Sequence, residues 1–175
     1  MDDLPFAATR LVSAYEHVGR LPVAVLLDNV RSLYNVGAFF RTADAVRAQR
    51  LYLAGIAGFP PNPMIAKTAL GAEEVVPWER VTDIVQAVDR LRTDGYELAA
   101  IETSLKAVDL FDWTPRFPVC VLFGHEVDGL RDTLLERCDT RVRIPMLGRK
   151  QSLNVATAGG VVLYELLRKY RELPA

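Results

Sequence analysis

The run PVCVLFG at residues 118–124 limits the possible folds more than any other stretch of the chain. A strand with one wet face alternates apolar and polar residues. A continuous apolar run closed by glycine reads instead as a strand buried on both faces, as happens where helices cover both sides of a parallel sheet. The rest of the sequence supplies those helices. A short helix over 8–18 precedes a strand at 23–27 and a helix over 35–46. A strand at 50–54 leads into the glycine- and proline-rich stretch GIAGFPPNP and a short helical piece before Gly71. A helix over 81–94 is followed by a strand at 96–101. After 118–124 come a short helix in LRDTLLERC, a strand in TRVRIP, the polar loop MLGRKQ and the longest helix, 152–171. That helix sets Val155, Ala158, Val162, Leu166, Leu167 and Tyr170 along one apolar face, with Ser152 as its expected N-cap. Strands alternating with helices define βαβ units and a mostly parallel α/β sheet. At 175 residues, with no repeat or linker, a single domain over 1–175 is expected.

A net charge of −1 by itself speaks against nucleic acid, but the charge is unevenly placed. Residues 141–175 carry seven Lys/Arg against two Glu, whereas 73–112 hold ten acids against four bases. The basic end is either a chance fluctuation or an anion-binding face. No apolar run is long enough to span a membrane, and MDDLPFAATR lacks the apolar core of a secretory signal. Cys120 and Cys138 form neither a CxxC pair nor a disulfide framework, which points to a reducing cytoplasm.

In parallel sheets, ligands sit at the carboxyl ends of the strands. Three loops meet that rule: DNVRSLYN (28–35), GHEVDGL (124–130) and PMLGRKQSLN (145–154). Asn35 fits either a helix N-cap or a ligand-binding amide. Arg41, six residues on, is either a solvated helix charge or half of a phosphate site, since free helix N–H groups, the dipole and a guanidinium all favour anions. Glu126 is either a surface carboxylate or part of a loop whose glycines bring backbone close to a ligand. Asn154 falls in the first turn of the last helix, where asparagine is a poor helix former, behind Arg149 and Lys150. Metal is not implied: HEVDG lacks the second histidine of a zinc helix. The 124–129 stretch lacks the Lys-Ser/Thr of a P-loop, and no GxGxxG is present.

Taken in order and spacing, NVRSLYNVGAFFRTADA (29–45), LFGHEVDGL (122–130) and IPMLGRKQSLNVATAGGVVLYELLR (144–168) resemble the three motifs of the SpoU/TrmH-like branch of the SPOUT RNA methyltransferases. The resemblance covers residues 23–169. It implies a Rossmann-like sheet with helices on both faces and a C-terminal trefoil knot, which sequence rules alone would not anticipate. It also implies a homodimer with its sites at the dimer interface, in the cytoplasm. The reaction implied is methyl transfer from S-adenosylmethionine to a ribose 2′-hydroxyl, in tRNA rather than rRNA because no RNA-binding extension is expected before the motifs. Residue by residue, the first motif gives Asn35 and Arg41, the second Gly124, Glu126 and Gly129, and the third Ser152, Leu153, Asn154 and Val155.

In such enzymes the second and third loops bind the cofactor, largely through backbone groups. The resemblance therefore assigns cofactor contacts to Leu122, Gly124, Ile144, Met146 and Leu153, with Thr103 from the preceding strand end. Catalytic positions are Asn35, Arg41, Glu126, Ser152 and Asn154. The RNA-binding candidates are Arg10, Arg31, Arg41, Arg149 and Lys150, with Arg20, Arg168, Lys169 and Arg171 further along the basic surface. The family reading makes Arg41 the base that removes the 2′-hydroxyl proton. A guanidinium resists deprotonation, so a phosphate clamp is the alternative. Ala156 stands where family members often have serine, a departure expected to touch helix packing rather than chemistry. Two rival readings keep the fold: a non-catalytic RNA-binding module, and a base-methylating SPOUT enzyme.

Overall fold

The computed structural model describes residues 19–174; the helix expected over 8–18 and Arg10 lie outside them. In chain order the elements are β1 (Leu21–Asp28), α1 (Leu33–Ala45), β2 (Ala48–Ala54), α2 (Pro63–Ala69), α3 (Ala72–Val75), β3 (Trp78–Val81) and α4 (Ile84–Thr93). They continue with β4 (Glu97–Ile101), β5 (Val108–Asp109), β6 (Val119–Phe123), α5 (Asp132–Leu135), β7 (Thr140–Arg143) and α6 (Val155–Arg171). The strands form one sheet in the order β3-β2-β1-β6-β4-β7-β5, and every strand pairing in it is parallel.

The apolar run at 118–124 lies near the middle of that sheet, as its composition requires. Val121 pairs with Val25 on one side and Ala99 on the other. Side chains alternate faces along each strand. Val23, Val25 and Leu27 of β1 therefore join a core with Phe39, Phe40, Ile65, Val162, Leu163 and Leu166 of α1, α2 and α6. Ala24 and Leu26 face the other way, into a second core with Val88 and Leu91 of α4 and Leu134 of α5.

Two glycines decide how closely the helices on the first face approach. A Cβ at Gly37 of α1 would fall 2.0 Å from Thr68 Oγ1 and 2.5 Å from the Ile65 carbonyl oxygen of α2. A Cβ at Gly159 of α6 would fall 2.2 Å from the ring of Phe39. Phe39 in turn packs against Phe123, with ring centroids 5.1 Å apart. These contacts fix the start of α1 and the start of α6 relative to the end of β6.

Several boundaries differ from expectation, each for a local reason. The helix expected from 35 begins at Leu33, because Ser32 is the N-cap and its Oγ accepts from the Asn35 N–H. Asn35 is thus inside the first turn rather than at the cap. The helix expected from 152 begins at Val155, and the cap is Asn154, whose Oδ1 accepts from the Ala156 and Thr157 N–H groups. Ser152 is left in the exposed loop before it. The helix expected over 81–94 is shorter, because 78–81 is β3, an edge strand in which only Val81 is buried.

Candidate active site

The chain turns outward through β2 after β1, and toward β7 after β6. The carboxyl ends of these neighbouring strands therefore form the crevice where parallel sheets hold ligands. Three loops meet there through a continuous hydrogen-bonded path. Asn35 Nδ2 donates to Glu126 Oε1 at 3.2 Å, and Asn154 Nδ2 donates to Asn35 Oδ1 at 3.2 Å. Glu126 also accepts from the Arg31 and Ser32 N–H groups, at 3.4 and 3.5 Å. Asn154 passes the linkage into the start of α6 through its capping bonds. Residues 91 and 119 positions apart in sequence are thereby tied side chain to side chain.

The local backbone explains why Glu126 is held there. His125 and Gly129 exchange two backbone hydrogen bonds, at 3.1 and 2.9 Å, closing a tight loop with Glu126 near its tip. Gly129 sits at φ +71, a left-handed conformation that favours glycine. A Cβ at Gly124 would lie 2.2 Å from the Gly129 carbonyl carbon, and backbone cannot move aside as a side chain tip can. The partial burial of the Glu126 carboxylate disfavours its charge. Hydrogen bonds from its own backbone N–H, from Asn35 and from the Arg31 and Ser32 N–H groups outweigh that, and its pKa falls below the usual glutamate value.

The other expected residues are placed less uniformly. Arg41 is exposed on α1, and its guanidinium has no hydrogen bond or ion pair among the described residues; it is not part of the Glu126–Asn35–Asn154 path. Arg31, Arg149 and Lys150 are exposed in the two flanking loops. Arg168 is committed to Glu165 and Glu172, Lys169 to the carbonyls of Phe111 and Trp113, and Arg20 to the Ala48 carbonyl. Ala156 packs against the core and gives its N–H to Asn154, so the position does belong to helix packing and capping.

The residues expected to hold a cofactor gather at the adjacent ends of β6, β4 and β7. Gly124 and Thr103 follow β6 and β4, while Ile144 and Met146 follow β7, partly buried. Leu147 is fully exposed and Leu153 is also exposed, both in the loop before α6. Leu122 is different: its side chain is buried in the second core, so only its backbone can face a ligand.

Two features here escaped the sequence reading. Glu102, just past β4, has a buried Oε1 with no hydrogen-bond partner, the one such side-chain atom among the described residues; Arg141 Nη1 is 3.8 Å away. On the other side of β6, Asp28 is fully buried at the end of β1. It receives Arg131 Nε at 2.9 Å, Arg131 Nη2 at 2.6 Å and Asn29 Nδ2 at 3.1 Å. An aspartate closing the apolar run VAVLLD was the available signal; its partner 103 positions away was not. Among the described residues no cluster of three metal-ligating side chains occurs, and no helix is long and apolar enough to cross a membrane.

Comparison with known proteins agrees with this architecture. The SpoU rRNA Methylase family matches residues 22–164. The 23S rRNA (guanosine-2′-O-)-methyltransferase RlmB of Pseudomonas syringae pv. tomato is 36% identical over 149 residues, covering 85% of this chain and 59% of that protein. Among solved structures, the TrmH/SpoU tRNA modifying enzyme of A. aeolicus superposes with a TM-score of 0.78 at 30% identity, over 87% of this chain and 77% of that one. The SpoU methyltransferase AviRb of Streptomyces viridochromogenes, solved in complex with AdoMet, gives 0.80 at 30% identity, over 90% of this chain and 64% of that one. The chain belongs to the SpoU family, the TrmH branch of the SPOUT RNA methyltransferases. It spans about three-fifths of the length of the curated relatives it matches.

Proposed function

We propose that this chain transfers a methyl group from S-adenosylmethionine to a ribose 2′-hydroxyl of RNA. The observation that carries the reading is the path Glu126–Asn35–Asn154, which joins one side chain from each of the three motifs at the crevice between the ends of β1 and β6. The AdoMet complex of AviRb supports the cofactor. The β4–β6–β7 edge has features that suit it: the Glu102 carboxylate, whose Oε1 has no hydrogen bond and only Arg141 Nη1 at 3.8 Å, the apolar surfaces of Leu147 and Leu153, and the main chain of the 124–129 and 144–153 loops. Thr103, Gly124, Ile144 and Met146, with the backbone of Leu122, belong to the same edge. S-adenosylmethionine supplies a methyl already activated by its sulfonium charge, which leaves the protein chiefly the task of positioning.

That task falls to the polar path. Asn35 gives one amide N–H to Glu126 and retains a second for the ribose. Its orientation is fixed from both ends, so the bound hydroxyl is held in line rather than left to rotate, an effect worth several kcal/mol of the barrier. Arg41 clamps the phosphate beside the reacting ribose and stabilises the negative charge that grows on the 2′-oxygen as its proton passes to solvent water. The oxygen would form its bond to the methyl carbon as the carbon–sulfur bond of the donor breaks, releasing a neutral thioether. Arg41 acts as a cation and not as the base, because a guanidinium holds its protons in proteins. Glu126, Ser152 and Asn154 order the loops around both substrates. Arg31, Arg149, Lys150 and Arg10 attract the RNA backbone. The same proposal includes a homodimer completing the site and the knotted threading of the C-terminal segment.

A relative named for 23S rRNA and a structure named for tRNA support either RNA class. The test of the mechanism is Arg41→Ala. Turnover falls by roughly 100-fold or more, as when a transition-state donor is removed, while S-adenosylmethionine binding measured by calorimetry stays within about twofold of the parent protein. Equal losses of turnover and of cofactor binding would contradict the assignment.

A further inference from the structure

We propose that the cavity between the ends of β1 and β6 holds the base of the methylated nucleotide and discriminates among bases through Arg131 and Asp128. The inference rests on the ribose-methylation reading above. A cavity of about 590 Å³ opens beside the Glu126 loop, lined by residues that include Asn29, Arg31, Ile56, His125, Asp128 and Arg131. Arg31 belongs to both places, since its N–H donates to Glu126. Arg31 thus connects the cavity to the Glu126–Asn35 path at which the ribose is placed.

The chemistry of the walls is that of a base pocket. Asp28 grips Arg131 by two bonds, yet a buried ion pair is a poor device for stability. What the pair does is fix a guanidinium fork. Arg131 remains 47% exposed, and its Nη1 has no hydrogen-bond partner among the described residues. Asp128, whose carboxylate lies 3.0 Å from His125 Nδ1, is 81% exposed in the same wall. Ile56 offers an apolar surface 62% exposed. A fixed donor, an acceptor and an apolar plate complement a planar ring with acceptors and N–H donors on adjacent edges. Guanine has that arrangement, with O6 and N7 toward an arginine. The two arginines and two aspartates of the wall, Arg31, Arg131, Asp128 and Asp132, balance in charge, which suits a neutral ring bearing both donors and acceptors better than a phosphate.

The rim is also held rigid. Asn29 stands at φ +60 and Gly55 at φ +64, both left-handed. Asn29 Oδ1 accepts from the Ile56 N–H at 3.1 Å and occupies the space a Cβ on Gly55 would take, 2.0 Å away. Backbone in such conformations collects at ligand sites, where the surroundings hold it in place.

The test titrates the ¹⁵N-labelled protein with the RNA trinucleotides UGU, UAU, UCU and UUU, following the amide signals of Asn29, Ile56, Gly129 and Leu130. Saturable shifts at these amides are expected from UGU, with at least fivefold weaker binding of the other three. Asp128→Asn, which leaves the buried pair intact, reduces UGU affinity at least fivefold. Arg131→Lys, which keeps a cation for Asp28 but loses the fork, erases the preference. Equal shifts from all four trinucleotides, or none at these amides, would overturn the proposal, as would an Asp128→Asn protein that binds UGU unchanged. Assays with labelled S-adenosylmethionine and cellular RNA separate the two ideas. Selective binding without ribose methylation leaves the pocket standing and sinks the reaction; ribose methylation without selective binding does the reverse.

Discussion

On the β1 side of β6, the fully buried Asp28 receives three hydrogen bonds, and the Glu126 carboxylate beyond it accepts from Asn35, Arg31 and Ser32. On the β4 and β7 side, Glu102 Oε1 is buried with no hydrogen bond among the described residues, and Leu147 is fully exposed. The first region satisfies its two carboxylates from within the chain, so their geometry is set by folding. The second leaves a buried acceptor without a hydrogen bond, with Arg141 Nη1 3.8 Å away, and an apolar surface uncovered, which costs stability unless another molecule meets them. Loss of the groups that hold the two carboxylates of the first side should therefore act through the fold and the orientation of Asn35, and substitutions on the second side through cofactor affinity.

The largest contrast is expected between Arg131→Ala and Glu102→Gln. Removing Arg131 strands a buried carboxylate and should lower unfolding free energy by roughly 2–3 kcal/mol, somewhat under the cost of breaking a fully buried pair because the arginine is half in water. Urea denaturation measures this. Glu102→Gln should shift stability by less than about 0.5 kcal/mol in either direction, yet weaken S-adenosylmethionine binding severalfold in calorimetry. A large stability loss from the glutamine variant would erase the distinction between the two sides.

Next in size is Asn154→Ala. It deletes the cap of α6 and the last bond of the polar path, and about 1 kcal/mol is expected from capping alone. The informative readout is turnover at saturating cofactor, which should fall while cofactor affinity holds.

A smaller effect follows from the depressed pKa of Glu126. A carboxyl group whose folded pKa lies below its unfolded value contributes its full stabilisation above the unfolded value, about 4.3. That contribution fades as pH falls through the lowered folded value. The stability difference between the parent protein and Glu126→Gln should thus be constant near neutrality and shrink below about pH 4. A difference that grows on acidification would mean the shift has the opposite sign. Smallest of all, Leu147→Ser should leave stability within about 0.5 kcal/mol and register only in cofactor binding.

Much of this was legible in the chain. The doubly buried strand at 118–124, the parallel alternation and the three loops follow from apolar period and from where parallel sheets keep their ligands. What failed was local competition. Ser32 and Asn35 are both good N-caps one turn apart, as are Ser152 and Asn154 within two residues, and propensity does not rank them; packing of α1 and α6 through Gly37 and Gly159 does. β3 and β5 were missed because WERV buries one residue and Val108–Asp109 none, so neither has a period to read. The pairing of Asp28 with Arg131, and the long contact of Glu102 Oε1 with Arg141, arise from residues brought together across the sheet and leave no trace in spacing.

The most direct measurement is nucleoside mass spectrometry on separate tRNA and rRNA fractions incubated with the protein and methyl-labelled S-adenosylmethionine. Label in a 2′-O-methylnucleoside of either fraction, abolished by Arg41→Ala, is the expected result, and the labelled fraction names the RNA class. Label on a base would keep the family and contradict ribose transfer. Measurable cofactor binding with no label in either fraction would contradict catalysis on these RNAs and leave an RNA-binding module.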